Sequence, residues 1–274
     1  MPGKPPKEFQ QYLTEKNKGS HVGHLDYLES PASAFLKYTI EAKSSLDLCV
    51  RHLPKKNNSK VYKKNSLDTL QHLQTALLPA VMGHLETFQR YLFAGMFDHS
   101  IYLDAFDPDA FFKKIKDYLN VGIDPVRLSA YRGIGVTSIG VLLADHLDGW
   151  HSPNKVNHFF ECYGLNHQFW SNDACEKLAV LWQLRHSIVH TGGTLTRADA
   201  QKVKPLEIYA DRKIIFEQPF IYELSRKLHP IVKKATEGIG GKFKKGLKPD
   251  VDSDTVQKVT NLFKVRSSVP VWLQ

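Results

Sequence analysis

Asn172-Asp173-Ala174-Cys175-Glu176-Lys177-Leu178-Ala179-Val180-Leu181-Trp182-Gln183-Leu184-Arg185-His186-Ser187-Ile188-Val189-His190-Thr191-Gly192-Gly193 is the stretch whose reading decides the fold. Asn172 or Asp173 can cap a helix, and the paired glycines supply a left-handed stop, so the stretch predicts one helix over 173–190. Projected at about 100° per residue, Leu178, Val180, Leu181, Leu184 and Ile188 share an apolar arc that faces a bundle. Glu176, Gln183, His186, Ser187 and His190 fall on the opposite arc, which turns two histidines outward in the last turn. Arg185 sits at the edge of the apolar arc beside Leu178, Leu181, Trp182 and Val189. A guanidinium beside that much hydrocarbon keeps its charge and needs an anion. An internal carboxylate such as Glu86 or Asp145 would meet the need, and so would a bound phosphate.

Working outward, the same helical chemistry recurs. Ser30-Pro31, Asp107-Pro108, Asp124-Pro125 and Ser152-Pro153 each place a capping side chain before a proline at the first helical position. They predict helices over about 31–52, 108–119, 125–147 and 153–163. A long apolar stretch over 66–97 contains Pro79, which predicts a kink or two helices. After the glycine pair, a short helix is expected near 197–203. A small β-hairpin is expected over 206–216, where the residues alternate around a polar turn, and a closing helix over 219–236. The chain therefore reads as mainly α, a helical bundle with a small β-hairpin near its C-terminal part. The expected organisation is a basic N-terminal arm over 1–23, one helical domain over 24–236 and a basic C-terminal tail over 237–274 with one weak helix at 253–264. No repeat period is present.

Lys and Arg number 37 against 28 Asp and Glu, a formal net charge of +9, which favours polyanionic partners. Arg51, Lys55, Lys56, Lys60, Lys63 and Lys64 fall in one segment without an acid among them, and Lys242, Lys244, Lys245 and Lys248 form a second cluster. A solvated loop and a phosphate-contacting surface are both open for these clusters. Three cysteines with no Cys-x-x-Cys pair point away from a disulfide framework or a thiolate zinc site and fit a reducing cytoplasm. No run approaches the roughly 20 apolar residues that cross a bilayer, so no membrane partner is expected. Near 237–243 the phosphate-loop pattern fails, because Thr236 stands where its first glycine belongs and no Ser or Thr follows Lys242. Gly133 and Gly135 lack a third glycine and a preceding strand. His21 with His24, and Asp145, His146 and Asp148 with His151, lack a recognised metal-ligand spacing, so neither metal nor cofactor is expected.

Arg185 followed after four residues by His190, within Leu-Arg-His-Ser-Ile-Val-His-Thr-Gly-Gly, resembles the Arg-x(4–6)-His motif of the HEPN superfamily. The likeness is closest to its RiboL-PSP-type and related stand-alone branches. It extends more weakly over about 70–235, through Leu85-Glu86-Thr87-Phe88 and Lys155-Val156-Asn157-His158-Phe159-Phe160. The resemblance implies a helical bundle that forms a homodimer, with two motif helices facing across a shared cleft and Arg185 and His190 from each chain forming a composite site. It implies a metal-independent endoribonuclease with no cofactor. A base takes the ribose 2′-OH proton, the oxygen attacks phosphorus and arginine offsets the phosphorane charge, leaving 2′,3′-cyclic phosphate and 5′-OH ends. His186 stands where such proteins carry a polar residue, and Glu86 and Ser187 are candidate supporting groups. RNA is the implied partner, bound in part by the 51–64 basic segment, with an antitoxin or other regulatory protein as a further one. Toxin, antiphage and RNA-processing roles all fit. The alternative is a non-catalytic HEPN-like module that binds RNA, a nucleotide or a protein. One branch carries a tyrosine two residues after the histidine; Gly192 occupies that position here.

Overall fold

A computed structural model describes residues 22–57, 61–116 and 138–266. The chain is mainly helical: α1 (His24–Glu29), α2 (Pro31–His52), α3 (Lys64–His99), α4 (Pro108–Ile115), α5 (Ile139–Asp145), α6 (Pro153–Glu161) and α7 (Asn172–His190), then α8 (Arg197–Ala200), α9 (Phe220–Lys245) and α10 (Ser253–Leu262). Two short strands, β1 (Thr194–Leu195) and β2 (Arg212–Lys213), pair antiparallel. The expected mainly α fold with a small two-stranded sheet toward the C-terminal part is what forms.

α3 is the axis. It packs against α1, α2, α5, α6, α7, α9 and α10. Its buried residues Leu70, Gln74, Leu78, Val81 or Met82, Leu85, Phe88 and Leu92 follow one another at three- or four-residue steps, so one stripe faces the core along its length. Phe88 and Phe93 are fully enclosed, and each such side chain contributes about 1.5–3 kcal/mol of transfer free energy. Pro79 does not divide this helix, which runs unbroken from Lys64 to His99. The proline withholds one backbone donor from Thr75, and tertiary packing on both sides outweighs that loss.

Three further expectations need correction. The first concerns 206–216, which does not form a hairpin. Residues Lys204–Tyr209 make a 3-10 helix started by Pro205, and β2 pairs with β1 instead. The Asp211 N–H donates to the Leu195 carbonyl at 2.7 Å while its carboxylate accepts from Arg197, which fixes a tight left-handed turn at φ 62.

Second, residues 237–266 are not a tail. α9 continues to Lys245, α10 packs onto α9 and α3, and Ile239, Phe243, Val259, Leu262 and Phe263 join the main core. Gly240 allows this, because a Cβ there would stand 2.6 Å from Phe263. Third, α7 is capped by Ser171, whose hydroxyl accepts from the Ala174 N–H at 3.3 Å, and not by Asn172 or Asp173. α6 ends at Glu161, α8 at Ala200, and of the span 125–147 only Ile139–Asp145 is a described helix. Residues 1–21, with the basic arm, and 117–137, with the Asp124-Pro125 start, lie outside the described residues, as do Lys60 and the end beyond 266.

Candidate functional site

The site depends on how α7 is held. At its start, Asn157 of α6 clamps Trp170 from both sides, accepting from its N–H at 2.6 Å and donating to its carbonyl at 2.9 Å. Gln89 of α3 accepts from the Trp170 indole N–H at 3.1 Å and donates to the Trp150 carbonyl at 3.0 Å. Both amides are buried and bonded at each end, so they fix α7 against α3 without leaving a polar group unmet.

The buried face of α7 turns along its length. Ala174, Cys175, Leu178 and Trp182 are buried in the first half, and Gln183 and Ser187 in the second. A second small core of Leu195, Ala200, Leu206 and Ile214 lies over the C-terminal half, packed by Val180, Leu184 and Ile188. Gln183 and Ser187, which the helical projection turns outward, are both buried. Gln183 donates to the Ser187 hydroxyl at 3.4 Å, and the Ser187 carbonyl accepts from Thr191 N–H, Gly193 N–H and the Thr191 hydroxyl. Ser187 is thus the anchor of the helix end and is not an exposed supporting group. Gly192 and Gly193 take φ of 61 and 79, the expected left-handed stop.

The same turn brings Arg185 and the histidines toward solvent. His190 is exposed, and the His186 side chain keeps 45% of its accessible surface. The two rings lie 4.6 Å apart between centroids at a 42° tilt. Arg185 is half-buried, and its Nε is sealed from water without a hydrogen-bond partner among the described residues. Glu86 does not supply one: it bonds Arg90 at 2.8 Å, and Arg90 also reaches Asp145 at 3.3 Å. The internal carboxylates proposed for Arg185 are therefore engaged by another arginine.

Asp199 is a component that the sequence reading missed. Its side chain, buried under the second core, has Oδ1 3.9 Å from His186 Nε2 and 2.7 Å from Lys202 Nζ. The Lys202 ammonium holds this carboxyl below its usual range, with the Thr196 hydroxyl and His186 adding to the effect. The available signal was Thr196-x-x-Asp199, the spacing of an N-terminal capping box; it marks a helix start in sequence, and only the fold carries it to His186. The site is thus a pair of adjacent, tilted histidine rings with a carboxylate 3.9 Å from one of them, on the helix end that also carries Arg185.

Gln71 of α3 donates to the Ile214 carbonyl at 3.1 Å and accepts from the Phe216 N–H at 2.8 Å, so the start of α3 lies beside the layer that covers the end of α7. Lys63 and Lys64 stand about 10 Å upstream along α3, toward the same end of the molecule as the motif, and both are exposed. Lys55 lies over the Tyr62 ring at 5.3 Å, and a backbone bridge joins these two residues. Arg51 and Lys56 are exposed. The second cluster differs: Lys242, Lys244 and Lys245 occupy the last turn of α9, where cations complement the helix dipole.

Among the described residues no group of three or more His, Cys, Asp or Glu side chains is arranged to hold a metal, and no helix is long and apolar enough to cross a membrane. No known family, curated protein or solved structure matches the chain.

Proposed function

We propose that this chain is a metal-independent endoribonuclease of HEPN type, with Arg185 and His190 as its catalytic pair and His186 as a second contributor. The observation that carries the reading is Arg185: a half-buried guanidinium with an unmet N–H, on the same helix end as two histidines whose tilted rings lie 4.6 Å apart. A phosphate satisfies such a group well, since arginine is a fixed charge with directional donors. His190 takes the 2′-OH proton, the 2′ oxygen bonds to phosphorus, and the bond to the 5′ oxygen breaks as that oxygen receives a proton. Arg185 offsets the charge on the phosphorane. Asp199, 3.9 Å from His186 Nε2, sets a negative charge beside that ring.

One chain offers half a cleft, so the working unit is a homodimer in which two α7 ends face each other. RNA approaches along the basic 51–64 segment, and the free thiols fit a cytoplasmic setting. Toxin, antiphage and RNA-processing roles all suit such an activity, and a regulatory protein such as an antitoxin would restrain it.

The decisive assay incubates the purified protein with single-stranded RNA in EDTA and identifies the ends. Cutting to 2′,3′-cyclic phosphate and 5′-OH ends is expected, with DNA of the same sequence spared. Arg185→Ala and His190→Ala should each slow cutting by about 10²–10⁴-fold. Loss of cutting in EDTA, or undiminished cutting by both variants, overturns the mechanism.

A further inference from the structure

The first half of α7 and most of α9 do not close on each other. Between them runs a groove of about 810 Å³, with one wall from Ser171 to Leu181 and the other from Phe220 to Ala235. These walls are roughly 15 and 22 Å long at 1.5 Å per residue, three to four helical turns. Apolar residues recur along the α9 wall at Phe220, Leu224, Leu228, Ile231 and Ala235, and Leu181 faces them from α7. Phe220, Ile231 and Leu181 are only partly covered by the chain's own core. His167 lies against Gly238 at one end, where a Cβ would stand 2.5 Å from its Nε2.

The rim is unbalanced in charge. Asp173 is bonded to Lys177 at 2.8 Å and Glu223 to Arg226 at 2.6 Å, so both acids on the groove are neutralised by a neighbour on their own helix. Lys227 and Lys234 are exposed and form no ion pair among the described residues. They stand seven residues apart, about 10 Å along one stripe of α9.

We propose that this groove docks an amphipathic α-helix of another protein, one whose apolar face is flanked by acidic residues seven positions apart. A helix lays anchors at i, i+3 or i+4, and i+7 into such a trough, and acids at that spacing meet Lys227 and Lys234 along one edge. A second copy of this chain fits less well. In a twofold interface the same patch faces itself, which sets the two unpaired lysines against a rim with no free acid. An acyl chain fits less well too, because the groove is only half enclosed. The motif residues lie beyond the groove, so this inference is independent of the nuclease reading.

The test measures fluorescence anisotropy of the full chain with labelled 18-residue peptides. Both peptides are alanine-based with leucine at helical anchor positions; one carries glutamate at seven-residue spacing and the other lysine in its place. Saturable binding of the glutamate peptide is expected, at least tenfold tighter than the lysine peptide. The double variant Lys227→Glu/Lys234→Glu should reverse that preference. Ile231→Asp should abolish binding of both while keeping the wild-type circular dichroism. Four results would sink the proposal: no saturable binding, equal binding of the two peptides, a preference unmoved by the lysine swaps, or conversion of a dimer to a monomer by Ile231→Asp in light scattering. Stoichiometric retention of oleate that displaces the glutamate peptide would instead mark an acyl-ligand site and also overturn it.

Discussion

At His229 both ring nitrogens are buried without a hydrogen-bond partner, and burial lowers the imidazole pKa, aided by Lys233. Burial does the same to His84, which stacks on Tyr38 at 3.5 Å, and to His99 and His167. A histidine kept neutral when folded binds a proton more readily once unfolded. Its contribution is fully present above the unfolded pKa of about 6.5 and is lost as pH falls toward the lower folded value. Thermal midpoints should therefore drop as pH falls from 7.5 to 5.5. His229→Phe should flatten that slope; an unchanged slope would mean that His229 is not among its causes.

Asp199 works in a separate window. Its lowered pKa contributes stability above the ordinary carboxyl range and loses it below about pH 4. Asp199→Asn leaves Lys202 and His186 without their anion. It should cost about 1–3 kcal/mol by chemical denaturation and slow RNA cutting. The thiols divide by burial. Cys49 is exposed, whereas burial raises Cys162 to about 11 and also raises Cys175. Iodoacetamide followed by mass spectrometry should modify Cys49 first in the native chain, and all three cysteines after unfolding.

Helix starts were the most legible elements. Ser30-Pro31, Asp107-Pro108 and Ser152-Pro153 open helices at Pro31, Pro108 and Pro153, because a proline at the first position imposes its geometry before any packing exists. Helix ends were less legible where tertiary contact overrides propensity. The closing helix is expected to end at 236, yet α9 runs on through Gly238 and Gly240, where His167 and Phe263 approach its backbone. Gly140 on α5 follows the same rule: a Cβ there would overlap the Ala94 carbonyl of α3. Gly140→Ala should therefore force α5 off α3 and destabilise the fold by about 1–3 kcal/mol, measured by urea unfolding. At the site, Arg185, His186 and His190 were readable from one helix. The burial of Ser187 and the arrival of Asp199 were not: burial is set by tertiary packing, and Asp199 comes from α8, in the 194–216 segment that packs against α7.

Across the whole molecule, the packing continues well past the boundary expected at 236. A chain ending at Thr236 loses Ile239, Phe243, Val259, Leu262 and Phe263 from the core. At about 1.5–3 kcal/mol per side chain, that is about 8–15 kcal/mol, comparable with the entire stability of a typical domain. The truncated chain should show no cooperative thermal transition by circular dichroism, whereas a separable tail would leave the midpoint unchanged. The basic composition had suggested solvent-facing sequence there, but the lysines of 242–248 alternate with Phe243 and Leu247, which turn inward.

The hydroxyls of Ser30 and Ser33 both donate to the Lys264 carbonyl, at 2.9 and 2.8 Å, and so join positions 234 and 231 residues apart. During synthesis at about 5–20 residues per second, α1 and α2 wait about 12–47 s before that neighbour is made. α3 covers much of α1 and α2 soon after they are made, but the seam that joins them to Lys264 and α10 closes only when the last described helix arrives. That seam stays open until then, and it should close earlier in a circular permutant that makes α10 before α1, read as earlier protease protection of α1 during synthesis.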